Sequence, residues 1–256
     1  MSRHSGFLRL LLDGYNRQSV FALMLLLAVG LAVGFGWADL LRPNLGDINW
    51  LFLGIWAGMT ALLCWKVQPA RDAALAAVAL AGGFGFEWWG THAHLWRYFT
   101  GETPPAWILP AWPVAALAAA RLALALERLG SNWRIHWPIA YWPLMLCFAA
   151  GMVWFIWPSL NLFSSKAACA LIGIVIAAGK ARRQDLCLFV AGVGLGFFLE
   201  YWGTTRECWT YYTGQTPPLI AVAAHGFAQV LYVRTLDALT WICRKVSGGP
   251  LRAFRK

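Results

Sequence analysis

Residues Glu87–Pro105 read EWWGTHAHLWRYFTGETPP, and residues Glu200–Pro218 read EYWGTTRECWTYYTGQTPP. A shift of 113 positions lays one on the other without a gap, and 11 of the 19 residues are identical. Each copy opens with a carboxylate at the end of a long apolar run. The same shift pairs Asp72 with Asp185 and Arg121 with Arg234. Further upstream, LMLLLAVG at 23–30 resembles LMLCFAAG at 144–151 at an offset of 121, so the duplication extends to the first part of each half.

The apolar runs set the fold class. Of the 256 residues 60% are hydrophobic and 12% charged, against about a quarter charged in an average soluble domain. Stretches near 19–37, 48–65, 73–91, 106–126, 138–157, 164–179, 186–203 and 219–242 have the length and composition of membrane-crossing helices. The sequence therefore predicts an all-α polytopic transmembrane bundle of about eight spans. Its two four-helix repeats are residues 1–128 and 129–256. Because four is even, both repeats cross in the same direction, related by a pseudo-twofold axis along the membrane normal.

A net charge of +10 raises the question of nucleic acid, which the placement of the basic residues answers. Fifteen of the 21 Lys and Arg residues fall on one side of the predicted spans, from Arg3, Arg9 and Arg17 in the N-terminal arm to Arg244, Lys245 and the tail. By the positive-inside rule that side is cytoplasmic and holds both termini. The expectation is an integral protein of a bacterial inner membrane that binds no nucleic acid. Basic residues precede the first span, but its apolar core is too long for a signal peptide and no small-residue cleavage site follows, so it reads as a membrane anchor. Arg121 and Arg234 are expected to snorkel to the cytoplasmic interface. Only Cys208 of the six cysteines lies in an outer loop, which excludes a disulfide framework.

Within the repeated segment, Gly90 and Gly203 are expected to end the third span of each half, and the Pro-Pro pairs to open the next helix. Trp96, Tyr98, Trp209 and Tyr211 are expected near headgroup level. Glu87 and Glu200 each follow their aspartate by 15 residues, or ~22 Å along a helix, which puts them inside a hydrocarbon core of ~30 Å. An ionisable group at that depth costs ~2.5–3.5 kcal/mol and faces a cavity or a partner. Both are candidate catalytic proton donors. With 17 Trp, 7 Tyr and 15 Phe in the chain, much of the aromatic content belongs to an interfacial belt. The aromatic residues beside the glutamates are candidate substrate-binding groups: Trp88, Trp89, Trp96 and Tyr98 in the first copy, and Tyr201, Trp202, Trp209 and Tyr211 in the second. Aromatic faces stabilise cations, so an acid beside them suits protonation of a carbon–carbon double bond. A nearby Arg206 is expected to hold Glu200 ionised and leave Glu87 as the donor. The structural alternative is that each glutamate simply ties helices together.

The stretch FEWWGTHAHLWRYFTGETPPAWILPAW, residues 86–112, resembles the signature of integral-membrane carotenoid-biosynthesis proteins, the carotenoid hydratases and the small-repeat lycopene cyclases. That resemblance implies acid-catalysed hydration or cyclisation of an isoprenoid lipid without a cofactor, with Glu87 and Glu200 as the acids. Competing readings are a proton-coupled permease built from two parallel repeats and a structural subunit with a membrane-protein partner or a second copy of itself. His92 and His94, with Glu87, Glu102, Glu207 and His225, are the candidates for a metal. The second copy has Thr205 and Glu207 in place of the two histidines, which excludes a symmetric two-metal site. Nothing matches a phosphate-binding glycine loop, a nucleophile elbow or a zinc-protease motif.

Overall fold

The computed structural model describes residues 14–36, 50–130, 136–179 and 182–246. Arg3, Arg9, Arg42, Arg134, Lys180 and the basic tail lie outside the described residues. Eight α-helices occur among the described residues: α1 (Arg17–Gly36), α2 (Trp50–Cys64), α3 (Pro69–His92), α4 (Ala111–Leu129), α5 (Trp137–Ile156), α6 (Phe163–Ala177), α7 (Arg182–Thr205) and α8 (Leu219–Val246). Short 3₁₀ turns at Ala106–Ile108 and Trp157–Ser159 extend α4 and α5. Four helical segments are long and apolar enough to cross a membrane, namely Ala106–Leu129, Trp137–Ser159, Arg183–Thr205 and Leu219–Val246. α3 matches them in length, but it carries Arg71, Asp72 and Glu87 and falls outside that set.

Local chemistry sets the helix starts. Pro69 sits in the first turn of α3, where its missing N–H costs nothing. Asp72 follows in the same turn and accepts the Gln68 N–H at 2.8 Å, closing the helix start as a capping carboxylate does. α4 buries Ala115, Ala116, Ala118, Ala119, Ala120 and Ala123. Small residues let helix backbones approach closely where no hydrophobic drive separates protein from lipid.

The central four helices form a closed ring. α4 packs on α3 and on α7, and α8 packs on α7 and on α3. The 113-residue register relates α3 to α7 and α4 to α8, so this ring obeys the duplication. The outer helices do not. α2 packs on α4 in the first half, whereas in the second half α5 packs on α7 and α8 and α6 packs on α5.

Two ion pairs mark one end of the ring. Arg121 of α4 binds Asp72 of α3, and Arg234 of α8 binds Asp185 of α7. Arg121 also donates from Nε to the Trp65 carbonyl at 2.6 Å and is only 1% exposed. The expected snorkelling is therefore corrected: both guanidinium groups turn onto a carboxylate one helix away. Lys66 and Arg128 lie over the Trp65 ring, and Arg183 over the Trp137 ring, at this same end.

At the opposite end the two copies of the repeated segment meet. β1 (Trp96–Tyr98) and β2 (Trp209–Tyr211) pair antiparallel with the register Trp96↔Tyr211, Arg97↔Thr210 and Tyr98↔Trp209. Each residue faces the counterpart of its mirror position, and Arg97 faces its own counterpart. A local twofold axis passes between Arg97 and Thr210.

Gly90 and Gly203 do not end their helices, which continue to His92 and Thr205. A Cβ on Gly90 would sit 1.8 Å from the Trp96 ring, and one on Gly203 1.9 Å from the Trp209 ring. The glycines are there so that an indole can lie flat on the helix backbone. The Thr103–Pro104 and Thr216–Pro217 peptide bonds are both cis.

Candidate functional site

Those two indoles are aimed by their glycines at the glutamates. Glu87 Oε2 accepts hydrogen bonds from Trp96 Nε1 at 3.1 Å and the Tyr98 hydroxyl at 2.7 Å, and Glu87 Oε1 accepts from Trp112 Nε1 at 3.1 Å. Glu200 Oε2 accepts from Trp209 Nε1 at 3.0 Å, and its Oε1 accepts from the Tyr211 hydroxyl at 2.8 Å. The third partner of Glu200 Oε1 is His225 Nε2 at 2.9 Å. Every partner of one glutamate stands 113 residues from a partner of the other, and only the third differs in kind: Trp112 against His225.

The two constellations interlock across the strand pair. Trp96 packs on Tyr211 with ring centroids 5.9 Å apart, and Tyr98 packs on Trp209 at 6.0 Å. Both glutamates are 4% exposed. A threonine steadies the helix after each, with Thr91 Oγ1 donating to the Glu87 carbonyl and Thr204 Oγ1 to the Glu200 carbonyl, both at 2.6 Å.

Between the constellations lies a cavity of about 150 Å³ lined by Glu87 and Glu200 together with Trp89, Trp96, Tyr98, Trp112, Trp209, Tyr211 and His225. The second half supplies an extra wall: Phe148, Met152 and Phe155 of α5, and Ala168, Leu171 and Ile172 of α6. Leu171, in that wall, is also 40% exposed on the outer face of the bundle.

Of the aromatic residues singled out in the sequence, the structure brings Trp89, Trp96, Tyr98, Trp209 and Tyr211 to this cavity. The last four are turned inward as hydrogen-bond partners of the glutamates. Trp88 and Tyr201 point outward, 44% and 46% exposed, and Trp202 does not line the cavity. In α3 the inner member of the pair after the glutamate is Trp89, whose Nε1 donates to Ser165 Oγ of α6 at 3.1 Å. Arg206 is not a partner of Glu200, because its guanidinium lies over the Trp202 ring. The ionisable group beside Glu200 is His225. Trp112 and the α5 and α6 wall were not anticipated, although continuing the 113-residue shift past Pro105 aligns Trp112 with His225.

His92 and His94, two of the candidates for a metal, lie outside this cavity. His92 Nδ1 is 2.7 Å from the Trp88 carbonyl and its ring packs on Trp88. His94 has φ of 56°, as Glu207 has 55° at the equivalent turn. Among the described residues no group of three or more His, Cys, Asp or Glu side chains is placed to hold a metal ion. No family model matches this sequence, and neither a curated protein nor a solved structure matches it.

Proposed function

We propose that this protein is an integral membrane enzyme acting on a polyprenyl or carotenoid-like lipid by proton-initiated hydration or cyclisation. Its eight helices would form two parallel four-helix repeats crossing a bacterial inner membrane, with both termini cytoplasmic. The observation that carries the reading is two buried carboxylates sharing one cavity walled by aromatic and aliphatic side chains. An apolar substrate would enter laterally beside Leu171.

The chemistry follows from the unequal partners. Glu200 has a basic partner, His225, with Nε2 at 2.9 Å from its carboxylate. Glu87 has only neutral partners among the described residues, which suits it to carry the proton and give it to a double-bond carbon. The cation left on the adjacent carbon would be stabilised by the indole and phenol faces and by the Glu87 carboxylate just formed. Water then adds and returns a proton to Glu87, or an internal double bond closes a ring and the neighbouring carbon returns one to Glu87. Either route returns the enzyme to its starting protonation.

The test compares lipid extracts of a host supplied with an acyclic carotenoid and carrying wild type, Glu87→Gln, Glu200→Gln or empty vector. The expected product gains one water or keeps the substrate mass with one ring more, takes up deuterium from heavy water, and is lost in at least one variant. Extracts identical to the empty vector, or unaffected by both substitutions, would sink the reading.

One observation favours a proton-coupled permease as the second reading. Gln229 and Tyr232 follow His225 by four and seven residues on α8, towards the Asp185–Arg234 pair. Gln229 Oε1 and the Tyr232 hydroxyl are buried without a hydrogen-bond partner among the described residues.

A further inference from the structure

We infer that the cavity binds a compact apolar monocation, such as the trimethylammonium head of an alkyl chain, with its charge beside Glu87. This deepens the proposed function: it rests on the cavity stabilising positive charge but not on any bond being made.

Charge balance carries the argument. Among the described residues, Glu87, Glu200 and His225 are the only Asp, Glu, Lys, Arg or His side chains in the cavity wall. His225, the one basic side chain in the wall among the described residues, contacts Glu200 and not Glu87, so Glu87 has no basic partner. An ionised carboxylate offers about four lone-pair positions, and Trp96, Tyr98 and Trp112 use three of those on Glu87. These donors hold the group in place without neutralising it. A buried carboxylate in that position takes either a proton or a cation.

The surroundings select the kind of cation. A hydrated metal ion needs several oxygen ligands, and the wall beyond the glutamates is indole, phenol, phenyl and aliphatic, with the His225 imidazole held against Glu200 and the thioether of Met152. Aromatic faces attract alkylammonium groups and do not require them to shed strongly held water. The volume of about 150 Å³ matches an apolar cavity that accepts a benzene-sized group. A trimethylammonium head is of that size, and an attached chain would leave past the exposed Leu171 into lipid. Cation and proton then compete for Glu87. The other titratable groups around it are Tyr98 of β1, Tyr211 of β2 across Trp96, Glu200 of α7, and His225 and Tyr232 of α8 behind Trp112.

The experiment measures binding of octyltrimethylammonium and of its uncharged isostere 2,2-dimethyldecane to the full chain in lipid nanodiscs, followed by tryptophan fluorescence. Wild type is expected to prefer the cation by about tenfold, and Glu87→Gln to lose that preference while still binding the hydrocarbon. Retained hydrocarbon binding reports an intact cavity. As a measurement that needs no variant, acidification should weaken cation binding to wild type and leave hydrocarbon binding unchanged. Equal affinity for the two probes, a preference that survives Glu87→Gln, or cation binding indifferent to pH would each overturn the inference. Cation binding without lipid conversion would count against the enzymatic reading alone, and conversion without cation preference against this one alone.

Discussion

Trp112 and His225 lie face to face, with ring centroids 5.4 Å apart and planes 12° from parallel. They occupy the same register position in the two halves, and each meets its own glutamate, Trp112 at 3.1 Å from Glu87 and His225 at 2.9 Å from Glu200. Their stack therefore crosses the local axis and ties the two carboxylates into one unit. Because one partner is an imidazole and the other an indole, an otherwise symmetric pair of acids becomes chemically unequal.

Replacing His225 by Phe keeps the stacked ring and removes the contact to Glu200. The expected loss is ~1–3 kcal/mol, the penalty for leaving a buried acceptor short of a partner. Denaturant titration in detergent micelles measures it, and an unchanged midpoint would show that the contact contributes nothing.

Gly90→Ala and Gly203→Ala force the Trp96 and Trp209 rings off the helix backbone, since the new Cβ would lie 1.8 and 1.9 Å from them. Each is expected to destabilise by about 1–3 kcal/mol, as overpacking does. Gly85→Ala and Gly194→Ala meet nothing within 4 Å and should be neutral or stabilise by up to ~1 kcal/mol through helix propensity. Equal effects at all four positions would contradict the assigned role of the indoles.

The two ion pairs are expected to differ in strength. The Arg121 side chain is 2% exposed and that of Arg234 is 22%. Arg121→Leu leaves Asp72 and the Trp65 carbonyl without their donor, at a cost of ~3–5 kcal/mol. Arg234→Leu should cost less, because water reaches that pair. Thermal unfolding of both variants, with the Asp72→Asn/Arg121→Leu double variant recovering part of the loss, provides the check.

Arg97 and Thr210 are directly opposed, so their Cα atoms are ~4.5–5.5 Å apart, within disulfide reach. With the six native cysteines replaced, Arg97→Cys/Thr210→Cys should oxidise within one chain and alter its migration on non-reducing gels. Failure to cross-link under mild oxidant would refute the strand register.

Helix positions were legible because each apolar run is bounded by charge, proline or glycine. The glutamates and the Trp96, Tyr98, Trp209 and Tyr211 partners were legible because the duplication preserved them letter for letter. The pairing of Trp112 with Glu87 and of His225 with Glu200 was not legible, because the two residues differ in type and the duplication does not mark them. Which of Trp88 and Trp89 turns inward depends on a 100° step in helix phase, and no residue in the pair itself fixes that phase. The strand pair was hidden because the alternation in Trp96–Arg97–Tyr98 and Trp209–Thr210–Tyr211 lasts only three residues, too few to read as a strand. The α5 and α6 wall was hidden by the departure of the outer helices from the repeat.

The pairing of β1 with β2 has the form of an isologous contact, a surface that recognises its own copy. A half-length chain bearing α3, β1 and α4 would present that surface to a second identical chain and recreate the central ring as a symmetric dimer. Such a dimer could hold two equal acids, but it could not hold both an indole and an imidazole at the central stack, nor a wall on one side only. Only a single polypeptide, in which the two copies of the segment are separate residues, can give the two sides different partners.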